Sequence, residues 1–114
     1  MVLIIFSAFA ALMLLIALFT KIFPAKKVNS WYGYRTDRSM RNRRNWRYAQ
    51  SLLPPMFFRI GLVYIALAAF WYFYPNLNEK LGLIVFIFVL ISGFGIEIYS
   101  SERKLKRFSK ERHT

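Results

Sequence analysis

The sequence predicts an all-α membrane protein: three transmembrane helices, with a short interfacial amphipathic helix in the first, cytoplasmic loop. Three observations carry that prediction. Apolar residues make up 57% of the 114-residue chain and gather into blocks at 2–20, 56–74 and 81–99, without amphipathic periodicity. The basic residues behind the formal charge of +12 flank those blocks, where positive-inside topology and anionic lipid headgroups favour them. There is no cysteine, so a single domain, residues 1–114, has neither a disulfide framework nor a thiolate metal site. In a soluble protein that charge would point to nucleic acid, but its placement beside apolar blocks argues against it.

The first block, 2–20, is interrupted only by the hydroxyls of Ser7 and Thr20. At about 1.5 Å per residue it spans roughly 28 Å, a hydrocarbon thickness. With no basic segment before it, and its one Ala-x-Ala (Ala8 to Ala10) too early for cleavage, it is expected to remain as a membrane helix.

Residues 21–55 form a basic loop whose centre, Asn29 to Gln50, holds six arginines. The Tyr32-Gly33-Tyr34 step predicts a turn, because glycine tolerates positive φ and close backbone approach. Thr36 or Ser39 is suited to cap a short helix with Asp37 in its first turn. On a helical wheel Asn42, Trp46, Ala49 and Leu53 share a narrow arc while Arg44 and Arg47 point away, a pattern fitted to the headgroup level. Pro54 and Pro55 end that helix and open the next.

The second block, 56–74, is apolar except for Arg59 and finishes in Trp71, Tyr72 and Tyr74, an aromatic belt. Residues 75–80 allow only a tight connection, so the third block, 81–99, runs antiparallel to the second. Gly82, Ser92, Gly93 and Gly95 offer small positions for another helix. The tail, 100–114, is basic and predicted to extend the helix and fray into solvent. Nine Lys or Arg against Asp37 in the first loop, and six against Glu102 and Glu111 in the tail, place both on the cytoplasmic side, with the N-terminus and the short hairpin outside.

Arg59 and Glu97 are the charges within the second and third blocks. Counted from the short hairpin, they lie roughly 22 and 24 Å deep, a matching height for an intramembrane ion pair. Arg35 folding back is an alternative partner for Glu97, and snorkelling of each charge to the interface is another. No catalytic site is legible. The sole histidine, His113, is expected to be solvated, the five carboxylates are scattered, and no phosphate loop or metal-ligand spacing occurs. No cofactor is expected.

The pattern Asn29, Tyr32-Gly33-Tyr34-Arg35-Thr36, Ser39, Asn42, Trp46 and Ala49, set between one hydrophobic helix and a hydrophobic hairpin, resembles the SdpI-type family of small bacterial membrane proteins. The best-known member confers immunity against a secreted antimicrobial peptide toxin and holds a cytoplasmic repressor at the membrane when toxin is present. The resemblance implies a bacterial inner-membrane protein with an immunity or signalling role. Its partners would be a peptide toxin, a cytoplasmic regulator and anionic lipid, and the additional membrane region that precedes the shared domain in that member would be absent. The same residues also have ordinary structural uses: Gly33 in a turn, Arg35 on lipid phosphate or at a helix C-terminus, Thr36 and Ser39 as caps, Trp46 as an interfacial anchor. A structural accessory subunit of a larger membrane complex is the alternative function.

Overall fold

The computed structural model describes residues 1–27, 29 and 32–111; the sequence reading of His113 lies outside them. The described chain is helical, in the order α1 (Val2–Ile22), α2 (Arg43–Ser51), α3 (Leu53–Phe73) and α4 (Glu79–Glu111). Three helical stretches are long and apolar enough to cross a membrane: α1, α3 with α2 leading into it, and α4. At about 1.5 Å per residue, the 33 residues of α4 come to about 50 Å and account for most of the 56 Å length of the molecule.

α1 and α3 form the principal packing pair. Val2, Phe6, Ala10, Met13, Ala17 and Thr20 are buried along one stripe of α1, at the spacing of a 3.6-residue turn. Met56, Ile60, Tyr64, Ala68 and Trp71 form the facing stripe of α3. The backbones come close at Gly61, where a Cβ would stand 2.8 Å from Leu14 Cδ2 and 3.4 Å from the Ala10 carbonyl. α4 joins this pair through an aromatic cluster. Phe9 meets Tyr64 at 4.6 Å and Phe86 at 5.0 Å, Phe6 meets Trp71 at 5.2 Å, and the buried Tyr64 hydroxyl donates to the Phe86 carbonyl at 2.7 Å.

Each connection has a local cause. Pro54 and Pro55 sit in the first turn of α3, where no intrahelical N–H is needed, and α2 ends just before them. Between α3 and α4, Asn78 caps the incoming helix: its Oδ1 accepts from Lys80 N at 2.8 Å and its carbonyl from Gly82 N at 3.1 Å. The Met1 ammonium donates to Glu79 Oε1 at 3.0 Å, so the start of α1 lies at the same end as this turn.

Three sequence expectations need correction. The helix after the basic loop is not a separate surface element, since only Leu52 stands between α2 and α3, and Trp46 and Ala49 of α2 and Leu53 at the start of α3 are buried against protein. An apolar arc on a short helix fits a protein core as well as a headgroup layer, and here the core takes it. Neither Thr36 nor Ser39 caps α2; Asn42 does, its side chain accepting from Asn45 N at 2.8 Å. The small positions on α4 keep their expected use: Gly82 takes a close approach, against Val2 and Trp71, and at Gly93 and Gly95 a Cβ would meet nothing within 4 Å among the described residues. The tail extends α4 as expected, to Glu111, but does not run free in solvent: Ser101 and Leu105 are buried, because Ser101, Leu105 and Phe108 share a face that α2 and the loop cover.

Candidate functional site

The described residues between α1 and α2 fold into a compact cap, built outward from Gly33. Its φ is +102°, a region L side chains rarely adopt, and an added Cβ would run into the Gln50 side-chain oxygen and come within 3.1 Å of Ala25 Cβ. That open space lets the Gln50 amide pair with the backbone of Tyr34 as a neighbouring strand would. Tyr34 N donates to Gln50 Oε1 at 2.8 Å, and Gln50 Nε2 donates to the Tyr34 carbonyl at 3.0 Å. Both residues are buried, so the exchange satisfies polar groups that water cannot reach.

Two further groups of bonds fix the cap. Thr36 and Ser39 close a single turn reciprocally: Thr36 N donates to Ser39 Oγ at 2.7 Å and Ser39 N to Thr36 Oγ1 at 3.2 Å. This is the capping-box exchange applied to one turn in place of a helix. The segment leaving α1 is held from above. The Tyr32 hydroxyl donates to the Phe23 carbonyl at 2.7 Å, the fully buried Trp46 donates from Nε1 to the Ala25 carbonyl at 2.7 Å, and Asn29 Oδ1 accepts from Tyr32 N at 2.7 Å.

The cap is fastened to the far end of α4. Glu102 accepts from the Tyr34 hydroxyl at 2.8 Å through Oε1 and from Arg38 Nη1 at 3.4 Å through Oε2. Burial pushes the Tyr34 phenol well above its ordinary range, and the hydrogen bond and negative charge of Glu102 push the same way, against a smaller opposing effect of Arg38. Beyond Glu102, Asn45 Nδ2 donates to Ser109 Oγ at 3.2 Å, the Tyr48 ring stacks on Phe108 at 4.2 Å, and the Arg44 guanidinium lies 4.3 Å from the same ring.

The structure therefore brings Asn29, Tyr32, Gly33, Tyr34, Thr36, Ser39, Asn42 and Trp46 into one cap, while Arg35 lies on its exposed side. Tyr34, Ser39 and Trp46 are buried in it. Arg59 and Glu97 stand apart from the cap, joining α3 to α4, with Arg59 Nε 2.9 Å from Glu97 Oε2 and 3.0 Å from Oε1. Gln50, Asn45, Arg38 and Glu102 were missed as parts of this arrangement. A signal existed for Gln50, a polar side chain one turn after Trp46 on the apolar arc of α2. None existed for Glu102, whose partners lie more than sixty residues away.

A cavity of about 1110 Å³ lies beside the cap, where the end of α1 meets α2 and the start of α3. Among the described residues no group of three or more His, Cys, Asp or Glu could hold a metal.

Comparison with known proteins agrees with this architecture. The profile of the SdpI/YfhL protein family matches residues 26–100, from the cap through the α3–α4 hairpin. The protein YfhL of Bacillus subtilis (strain 168), described as uncharacterized, is 33% identical over 95 residues, which cover 83% of this chain and 80% of the relative. No solved structure matches. Members of the family are non-catalytic membrane proteins. With a family profile over most of its length and a relative aligned along most of both chains, this three-helix, multi-pass inner-membrane protein belongs to the SdpI/YfhL family.

Proposed function

We propose that the protein is an immunity or sensing protein of the SdpI type, in which α4 couples the membrane to the cytoplasmic cap. The observation that carries this reading is the double acceptance by Glu102, which ties the motif residue Tyr34 and its neighbour Arg38 to the same helix that lines the membrane. α4 is mostly uncovered by the rest of the chain, so a membrane-active peptide has a helix surface to engage. A tilt or rotation of α4 would move Glu102, Leu105 and Phe108 together and so displace the cap, which is the output end. Supporting the orientation, the basic loop and tail lie at one end of the bundle, and the Met1–Glu79 contact with the short hairpin at the other. On this reading the motif residues hold the cap in shape, and the exposed arginines around it, Arg35 among them, meet the cytoplasmic regulator and lipid headgroups.

The uncovered α4 face with Gly93 and Gly95 favours a second reading, an accessory subunit whose small face docks in a larger complex. One comparison separates the two. Deletion of the gene should sensitise cells to a membrane-active peptide toxin, and the wild-type protein, but not Glu102→Ala expressed to the same level, should restore resistance. Unchanged sensitivity on deletion, with the protein recovered in a stoichiometric multi-subunit assembly, would replace the immunity reading with the accessory one.

A further inference from the structure

The cavity beside the cap has a composition that the immunity reading does not use. Its walls are apolar, with Leu14 and Leu18 on α1 facing Phe58 on α3. Its rim is cationic: Lys21 in the last turn of α1, Lys26 in the segment held by the Trp46–Ala25 bond, and Arg47 on the polar side of α2. No acidic residue lines it, and none of the three cations has an ion-pair partner among the described residues. Leu14 and Lys21 are seven residues apart on one helix, about 10 Å, so the apolar wall descends from the rim along the membrane helix.

We propose that this cavity is a binding site for one anionic phospholipid, its phosphate among Lys21, Lys26 and Arg47 and an acyl chain along Leu14, Leu18 and Phe58. The apolar wall excludes a free soluble anion as the preferred occupant, because hydrated phosphate gains nothing from it. The three cations, unpaired among the described residues, select a net-negative headgroup over a zwitterionic one. At about 1110 Å³ the space lies just beyond the roughly 300–1,000 Å³ usual for small-molecule pockets, a fit to a chain-bearing lipid. The lipid would bridge the end of α1, the cap and the start of α3, and bind whether or not a toxin is recognised.

Native mass spectrometry of the full chain, released from detergent with added phosphatidylglycerol or phosphatidylcholine, tests this. The wild type should retain one phosphatidylglycerol in preference to phosphatidylcholine. The triple variant Lys21→Gln, Lys26→Gln, Arg47→Gln should lose that retention by about tenfold or more. The variant Arg103→Gln, Lys104→Gln, Lys106→Gln, with the same loss of charge on α4, should keep it. Should the rim variant fail to remain monodisperse and helical, Leu18→Trp decides instead, since it narrows the apolar wall at an exposed position and should lower retention alone. Equal loss in both triple variants, retention unaffected by the rim and wall substitutions, or displacement of the lipid by inorganic phosphate would each overturn the proposal.

Discussion

The Tyr34 hydroxyl donates to Glu102 at 2.8 Å across 68 residues of sequence, and through that bond the glycine-turn cap and the long last helix become one unit. Removing either partner leaves the other short of a bond in a half-buried region. Tyr34→Phe and Glu102→Ala should each lower stability by about 1.5–3 kcal/mol, the range for hydrogen bonds to charged groups. Their double variant should cost clearly less than the sum, as unfolding in mild detergent can measure.

The buried Tyr34 phenol, with its bond to Glu102, has a pH signature. Folding raises the Tyr34 phenol above its ordinary value of 10.0, so the folded state holds that proton more tightly than the unfolded one. The contribution is therefore fully present below about pH 10 and is lost as pH climbs above it. The stability gap between wild type and Tyr34→Phe should be constant through neutral pH and shrink in alkali. Tyrosinate absorbance should show the Tyr34 phenol titrating at lower pH after Glu102→Ala than in the wild type, yet still above its ordinary value, because burial, the larger cause, remains.

Gly33 should not tolerate a side chain. Gly33→Ala combines a strained φ, worth about 1–3 kcal/mol, with a collision against Gln50, and should cost more than Gln50→Ala, which only breaks the pairing with Tyr34. Proteolytic susceptibility of the cap in detergent would register the difference.

Between α3 and α4, Glu97→Gln leaves Arg59 without its carboxylate and Arg59→Gln leaves Glu97 without its cation. Each should destabilise the hairpin by up to about 2.5–3.5 kcal/mol, less for a pair near a membrane boundary. Replacing both by glutamine should recover part of the loss, because no uncompensated charge remains. Thermal stability of the three variants in detergent is the readout.

Leu105 tests the extension of α4 directly. It is fully buried although it lies in a stretch otherwise dominated by Lys and Arg, and Leu105→Ala should cost about 2–5 kcal/mol, against almost nothing for the exposed Lys104→Ala. Hydrogen exchange along α4 would locate the loss to residues 101–110.

What could be read in advance depended on the range of the interaction. The three apolar stretches follow from the blocks, though not the full length of α4, the matching heights of Arg59 and Glu97 follow from a fixed rise per residue, and a Tyr-Gly-Tyr step carries its own backbone requirement. Those features need only neighbouring residues. The destination of the apolar arc of α2 was not legible, because Trp46 and Ala49 fit lipid headgroups and a protein interior equally well. The burial of Leu105 depends on α2 and the loop arriving beyond the apolar part of α4, which no local pattern encodes. Gln50 shows the intermediate case: a glutamine on an apolar arc signals a specific partner, while the identity of that partner, the backbone of Tyr34, comes from the fold.

The central claim is that α4 holds the cap through Glu102, and the most direct measurement is hydrogen exchange at residues 32–40 in Glu102→Ala compared with wild type. Exchange at Tyr34 and Ser39 should be faster, with the α1–α3 core at residues 60–71 unchanged. Unaltered exchange in the cap would contradict it, since the loop would then hold its shape without α4.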